Sequence, residues 1–82
     1  MTMVNPRTLD FFDRYITRMI IEKYGFDEMK AMRSFVSSEA YQMLIDVELE
    51  IYKMSPHIVF DMWESEQITG DPRNSMYLRM HL

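Results

Sequence analysis

Between Asn5 and Gly25, apolar residues recur as Leu9, Phe12, Ile16, Met19 and Ile20. At roughly 100° per residue these positions fall on one face of an α-helix. Asn5-Pro6 supplies the start, with Asn as N-cap and Pro at the first helical position, where its missing N–H costs nothing. Gly25 follows the last periodic residue and suits a left-handed C-cap. Phe11 and Tyr15 extend the apolar face sideways, while Ile21 points away from it. The stripe is wider than a peripheral helix needs, which predicts packing on more than one neighbour.

Asp27 is placed to cap a second, short helix through about Phe35, with Met29, Met32, Phe35 and Val36 as its apolar positions. Ser37-Ser38 breaks the run, and either serine can cap a third helix through Ile45 that buries Tyr41, Leu44 or Ile45. Residues 47–54 fit two readings. Val47-Glu48-Leu49-Glu50-Ile51 alternates with period two, as a half-buried strand does, yet the same residues can continue a helix beyond Asp46. Ser55-Pro56 repeats the cap-plus-proline start and Gly70 repeats the stop. Between them Ile58, Val59, Met62 and Trp63 form an apolar arc with Phe60 at its edge. Asp71-Pro72 turns the chain into a tail, 71–82, carrying Met76, Tyr77, Leu78, Met80 and Leu82. The pattern predicts one all-α domain over residues 1–82, a compact bundle of three to four helices, with a short extended segment at 47–54 as an alternative there.

Composition narrows the chemistry. At 82 residues the chain has room for one domain, and with no Cys it has no disulfide, thiol or Cys-based zinc or iron–sulfur option. Charge is uneven along it. Residues 1–36 hold six basic and five acidic side chains, while residues 37–72 hold Lys53 against eight acids. That acidic stretch repels phosphate, which argues against nucleic acid and favours a basic protein surface or the chain's own basic ends. The first 30 residues carry Asp10, Asp13, Glu22, Asp27 and Glu28 without a long apolar run. A secretory leader or membrane span is therefore not expected, and a cytoplasmic location is.

Candidate chemistry is sparse. His57, Asp61 and Glu64 are spaced to share one side of a helix, and imidazole with carboxylates can hold a metal. They oppose the Ile58/Met62/Trp63 arc, however, where a solvent-facing polar stripe belongs, and the other histidine, His81, is remote in sequence. Glu48/Glu50 and Glu64/Glu66 could pair as acid and base, but ordinary surface positions explain both. No triad and no glycine-rich phosphate loop is present. No catalytic residue, metal or cofactor is assigned. Residues 27–45 resemble a helix-turn-helix in outline, which makes a DNA-binding regulator the alternative function. The second helix, Glu39–Ile45, lacks any Lys or Arg for phosphates and base edges.

The ten methionines and eleven aromatics are high for this length. Met19, Met32 and Met62 lie at core spacing, whereas Met54, Met76 and Met80 are hard to place inside a monomer. The surplus predicts apolar surface left for a protein partner. The expected anchors are Phe60 and Trp63, with Arg73 and Tyr77 from the tail, because aromatics and Arg dominate interface energetics. The partner is expected to be a second copy, giving a homodimer, or the product of a neighbouring gene.

The run from Phe26 to Ser75 includes FDEMKAMRSFVSSEAYQML, then ID-x-E-x-x-IYKMSP, then FDMWESEQITGDPRNS. These pieces resemble small bacterial all-helical proteins of unestablished function, some encoded beside other small proteins in mobile or toxin-like gene clusters. The resemblance spans about three-fifths of the chain. It implies a compact helical domain and no transferable catalytic residue.

Overall fold

The computed structural model describes residues 3–79. Five helices run in chain order: α1 (Pro6–Tyr24), α2 (Glu28–Val36), α3 (Glu39–Ile45), α4 (Pro56–Thr69) and the single turn α5 (Met76–Arg79). Three 3₁₀ turns join them, Val47–Leu49, Ile51–Lys53 and Pro72–Asn74. There is no β-sheet among the described residues. The radius of gyration is 12.0 Å, close to the roughly 12 Å expected for a compact domain of this size.

Local sequence sets the helix ends. The Asn5 side chain accepts from the Arg7 N–H at 2.8 Å, Asp27 from Lys30 at 2.8 Å, and Ser55 from His57 at 3.2 Å. Of the two candidate serines, Ser38 caps α3, accepting from the Tyr41 N–H at 3.1 Å. Gly25 (φ 71°) and Gly70 (φ 85°) close α1 and α4 in the left-handed region. A side chain there would add strain, and neither position has a neighbour that a Cβ would strike.

Residues 47–54 are neither a strand nor a continued helix. They make two successive 3₁₀ turns hinged at Glu50, whose φ of 57° is the only positive value at a described non-glycine residue. The left-handed kink destroys the period-two register, so Val47 and Leu49 never face a partner strand. Only Ile51 of this segment is buried.

The core lies where α1, α3 and α4 meet, with α2 closing one side. Phe12, Ile16 and Ile20 from α1 pack with Ala31 and Phe35 of α2 and with Ala40, Met43 and Leu44 of α3. Val59, Phe60, Met62 and Trp63 of α4 complete it. Leu9 and Met19, expected within the α1 stripe, are partly buried and pack at the edge of the core. Ile21 also packs against the core, because α2 extends the contact face of α1 beyond the simple stripe. On α2 only Phe35 of the four expected apolar positions is buried. Ala31, which has no bulk to hold the helices apart, sits inside instead.

A left-handed conformation at an L-residue costs roughly 1–2 kcal/mol; glycine removes that strain, and its greater unfolded-state entropy takes back part of the gain. Glu50→Gly is therefore expected to stabilise the domain by about 0.5–1 kcal/mol, measured as a raised urea midpoint. A lowered midpoint would mean that the Glu50–Lys53 ion pair, at 2.6 Å, outweighs the backbone term.

Candidate functional site

The sequence-predicted anchors separate into two pairs. Phe60 and Trp63 retain only 6% and 2% of their surface. Their rings stack on each other at 6.1 Å, and Trp63 meets Tyr24 edge-on at 5.8 Å. The Trp63 indole N–H donates to the Ser34 carbonyl at 3.3 Å. Both rings pack inside the core and help hold the bundle together. Arg73 and Tyr77 are exposed. The Arg73 guanidinium binds the Glu39 carboxylate and reaches Asp71 at 3.2 Å, tying the tail to α3. Those carboxylates, Glu39 first, raise its already high pKa.

The polar side of α4 is not the solvent-facing stripe that its spacing suggests. Asp61 accepts a hydrogen bond from the fully buried Ser75, which docks the tail. Glu64 accepts from the Lys23 ammonium and the Tyr24 hydroxyl, which pins the end of α1. Those bonds raise the pKa of both groups, so the clasp holds through neutral pH. His57 stays exposed, its ring edge-on to Tyr15 at 6.0 Å. His57, Asp61 and Glu64 thus face different neighbours. Among the described residues no group of three His, Asp or Glu side chains is placed to hold a metal.

Glu66, which the sequence offers only as an acid–base partner of Glu64 or an ordinary surface residue, has a structural role instead. Its two carboxylate oxygens accept the Glu39 and Ala40 N–H groups at 2.9 and 2.8 Å, capping α3 from 26 residues away. Residues 27–45 do form two short helices about a tight break, as the helix-turn-helix outline expects. The N-terminus of α3, which in that motif approaches the bases, is occupied by Glu66.

Two grooves run along α1. On its outward side Arg7, Phe11, Arg14 and Arg18 share a face opposite the core, since their spacing closes on itself at 100° per residue. Phe11 keeps 52% of its surface and lies 5.9 Å from the Tyr15 ring. Phe11, Arg14, Tyr15, Arg18, Met19 and Glu22 line a shallow groove of about 420 Å³. The flank toward α2 carries a second groove, of about 680 Å³, whose lining includes Asp10, Asp13, Thr17, Ile21, Glu28 and Met32. Burial, then the neighbouring Asp10 charge, raises the Asp13 pKa above the usual carboxylate value. Burial, then the Asp13 charge, raises that of Tyr41 on α3. The sequence signal for this flank was faint: two polar residues one turn apart beside an apolar stripe.

Met54 packs against the core from the partly buried side and Met76 is exposed, while Met80, His81 and Leu82 lie outside the described residues. No helix among the described residues is long and apolar enough to cross a membrane. No family model, curated protein or solved structure matches the chain.

Two outcomes test this account. Carboxylate acceptors of backbone N–H groups at a helix start contribute about 1.5–3 kcal/mol together. Glu66→Ala should lower stability by about that amount and Glu66→Gln by roughly half, read from urea unfolding. Equal, negligible losses would remove Glu66 as the α3 cap. For Asp13 the folded pKa lies above the unfolded value near 3.8. Its contribution is present in full below that value and is lost as pH rises through the folded pKa. The stability of Asp13→Asn relative to wild type should therefore increase between about pH 3 and pH 7. A constant difference across that range would show that burial does not act on Asp13.

Proposed function

We propose that this is a small bacterial cytoplasmic protein that works through protein–protein contact, without a catalytic step, and pairs with a second copy of itself through the outward face of α1. The observation that carries this reading is the face formed by Arg7, Phe11, Arg14 and Arg18. Half-exposed aromatic surface framed by guanidinium groups has the composition of interface hot spots. Arg14 is held by Asp10 at 3.1 Å, and no ion pair holds Arg7 or Arg18 among the described residues.

Charge complementarity selects the occupant. Asp46, Glu48 and Glu50 are exposed beside Ile45 and Leu49, so the first 3₁₀ turn offers three carboxylates around two apolar side chains. Set against a partner's α1, it supplies acids for the arginines and apolar contact for Phe11. A two-fold axis makes the same contact twice. The bacterial origin, and an accessory role beside a neighbouring gene product, rest on the resemblance of residues 26–75. DNA binding has no comparable support, since α3 presents neither basic side chains nor a free N-terminus.

Light scattering after size exclusion, over a range of protein and salt concentrations, decides the matter. A mass near twice 10.0 kDa is expected at low salt, falling toward the monomer as salt screens the pairs. Arg18→Glu alone and Glu48→Lys alone should each weaken the dimer about tenfold, and the two together should recover part of that loss. A monomer under every condition, or a dimer indifferent to both charge reversals, would overturn the assignment.

A further inference from the structure

The α1–α2 groove contains an unmet hydrogen-bonding requirement. Asp13 Oδ1 and Thr17 Oγ1 are both buried and neither has a partner among the described residues. Thr17 retains 6% of its surface, and it lines the groove one helical turn from Asp13. Buried polar atoms are almost always satisfied, and two adjacent unmatched ones are disposed to receive a donor once rotation of the half-buried Asp13 carboxylate uncovers them.

We infer that this groove receives a basic side chain of a protein partner, its ammonium or guanidinium N–H groups donating to the Asp13 carboxylate and the Thr17 hydroxyl. Ionised Asp13 accepts but cannot donate, and the hydroxyl can rotate its lone pairs toward a shared donor. The lining carries four carboxylates, Asp10, Asp13, Glu22 and Glu28, against the guanidinium groups of Arg14 and Arg18. A cation is favoured there and an anion is not. Of the two resident arginines, Arg14 is engaged by Asp10, and Arg18 also lines the neighbouring Phe11 groove. Ile21 and Met32 provide apolar wall of the kind that covers the aliphatic stem of Lys or Arg while its charged end reaches a polar floor. A metal ion fits less well, because no three ligating side chains converge among the described residues.

That the side chain belongs to a protein rests on the interaction reading above; the site itself does not. The test is an amide-resolved NMR titration of the full chain with N-acetyl-arginine methylamide and N-acetyl-lysine methylamide, each at constant ionic strength. The neutral citrulline analogue and magnesium chloride serve as comparison ligands. Saturable shifts confined to residues 10–22 and 28–32 are expected with one or both basic amides, and not with citrulline. Asp13→Asn and Thr17→Val should each weaken that response about tenfold, the worth of a charge-assisted hydrogen bond. Thr17→Val should do so without lowering the melting temperature, since the hydroxyl it removes has no partner in the fold.

No localised shift, an equal response to citrulline, a stronger response to magnesium, or full binding by both variants would each overturn the inference. So would a large fall in melting temperature for Thr17→Val, which would assign the hydroxyl a structural role. The two proposals fail separately. A monomer that binds the arginine amide loses the α1 dimer alone, and a salt-sensitive dimer that ignores the amide loses the groove alone.

Discussion

The enclosure of α4 is the constraint on which the rest of this fold depends. A helix covered by α1 and α3 and by the returning tail cannot leave its carboxylates to water on one side. Asp61, Glu64 and Glu66 each find a partner on a different element: Ser75 of the tail, Lys23 and Tyr24 at the end of α1, and the first amides of α3. The apolar arc of α4 supplies most of the driving force, but that force is non-directional. The three carboxylates supply direction. They fix which neighbour lies on which side, through backbone and side-chain donors on each of those elements.

With α4 serving the interior, α1 is left as the helix that faces both ways. Its core stripe of Phe12, Ile16 and Ile20 is fully committed. Its outer face carries arginines around Phe11, and its α2 flank carries Asp13 and Thr17, which line the groove together with Glu28 and Met32 of α2.

Helix boundaries were legible because they are local. Asn5-Pro6, Asp27, Ser55-Pro56, Gly25 and Gly70 act within two to four residues, and each does what its type implies. Residues 47–54 were ambiguous because period-two patterning says nothing about a left-handed residue, and Glu50 gives no compositional sign of one. An excess of aromatics does not reveal which of them the bundle uses, and Phe60 and Trp63, expected as partner anchors, are packed inside it. Tyr24 and Ser34, both distant in sequence, claim the Trp63 ring and its N–H. The same blindness to distance makes His57, Asp61 and Glu64 look like a solvent stripe and hides the role of Glu66 at the start of α3. Helical spacing reports which residues share a side, and only tertiary contacts report what that side meets.

Asp13 and Thr17 are the exception to a structure in which buried polar groups are otherwise well matched. A buried hydroxyl or carboxylate oxygen without a partner costs about 1–3 kcal/mol. A domain of this length has only about 4–12 kcal/mol of stability in total. Two such atoms side by side are thus a substantial fraction of the margin, in a chain that satisfies Glu64 and Glu66 with two acceptor contacts each. The cost is not forced by the fold, because a valine at 17 would occupy nearly the same volume and leave nothing unmatched. A polar pair that weakens the free domain, set in an acidic groove with apolar walls, is most simply understood as one half of a contact. Its donors come from outside the chain, and the free energy missing from the isolated domain is recovered on association.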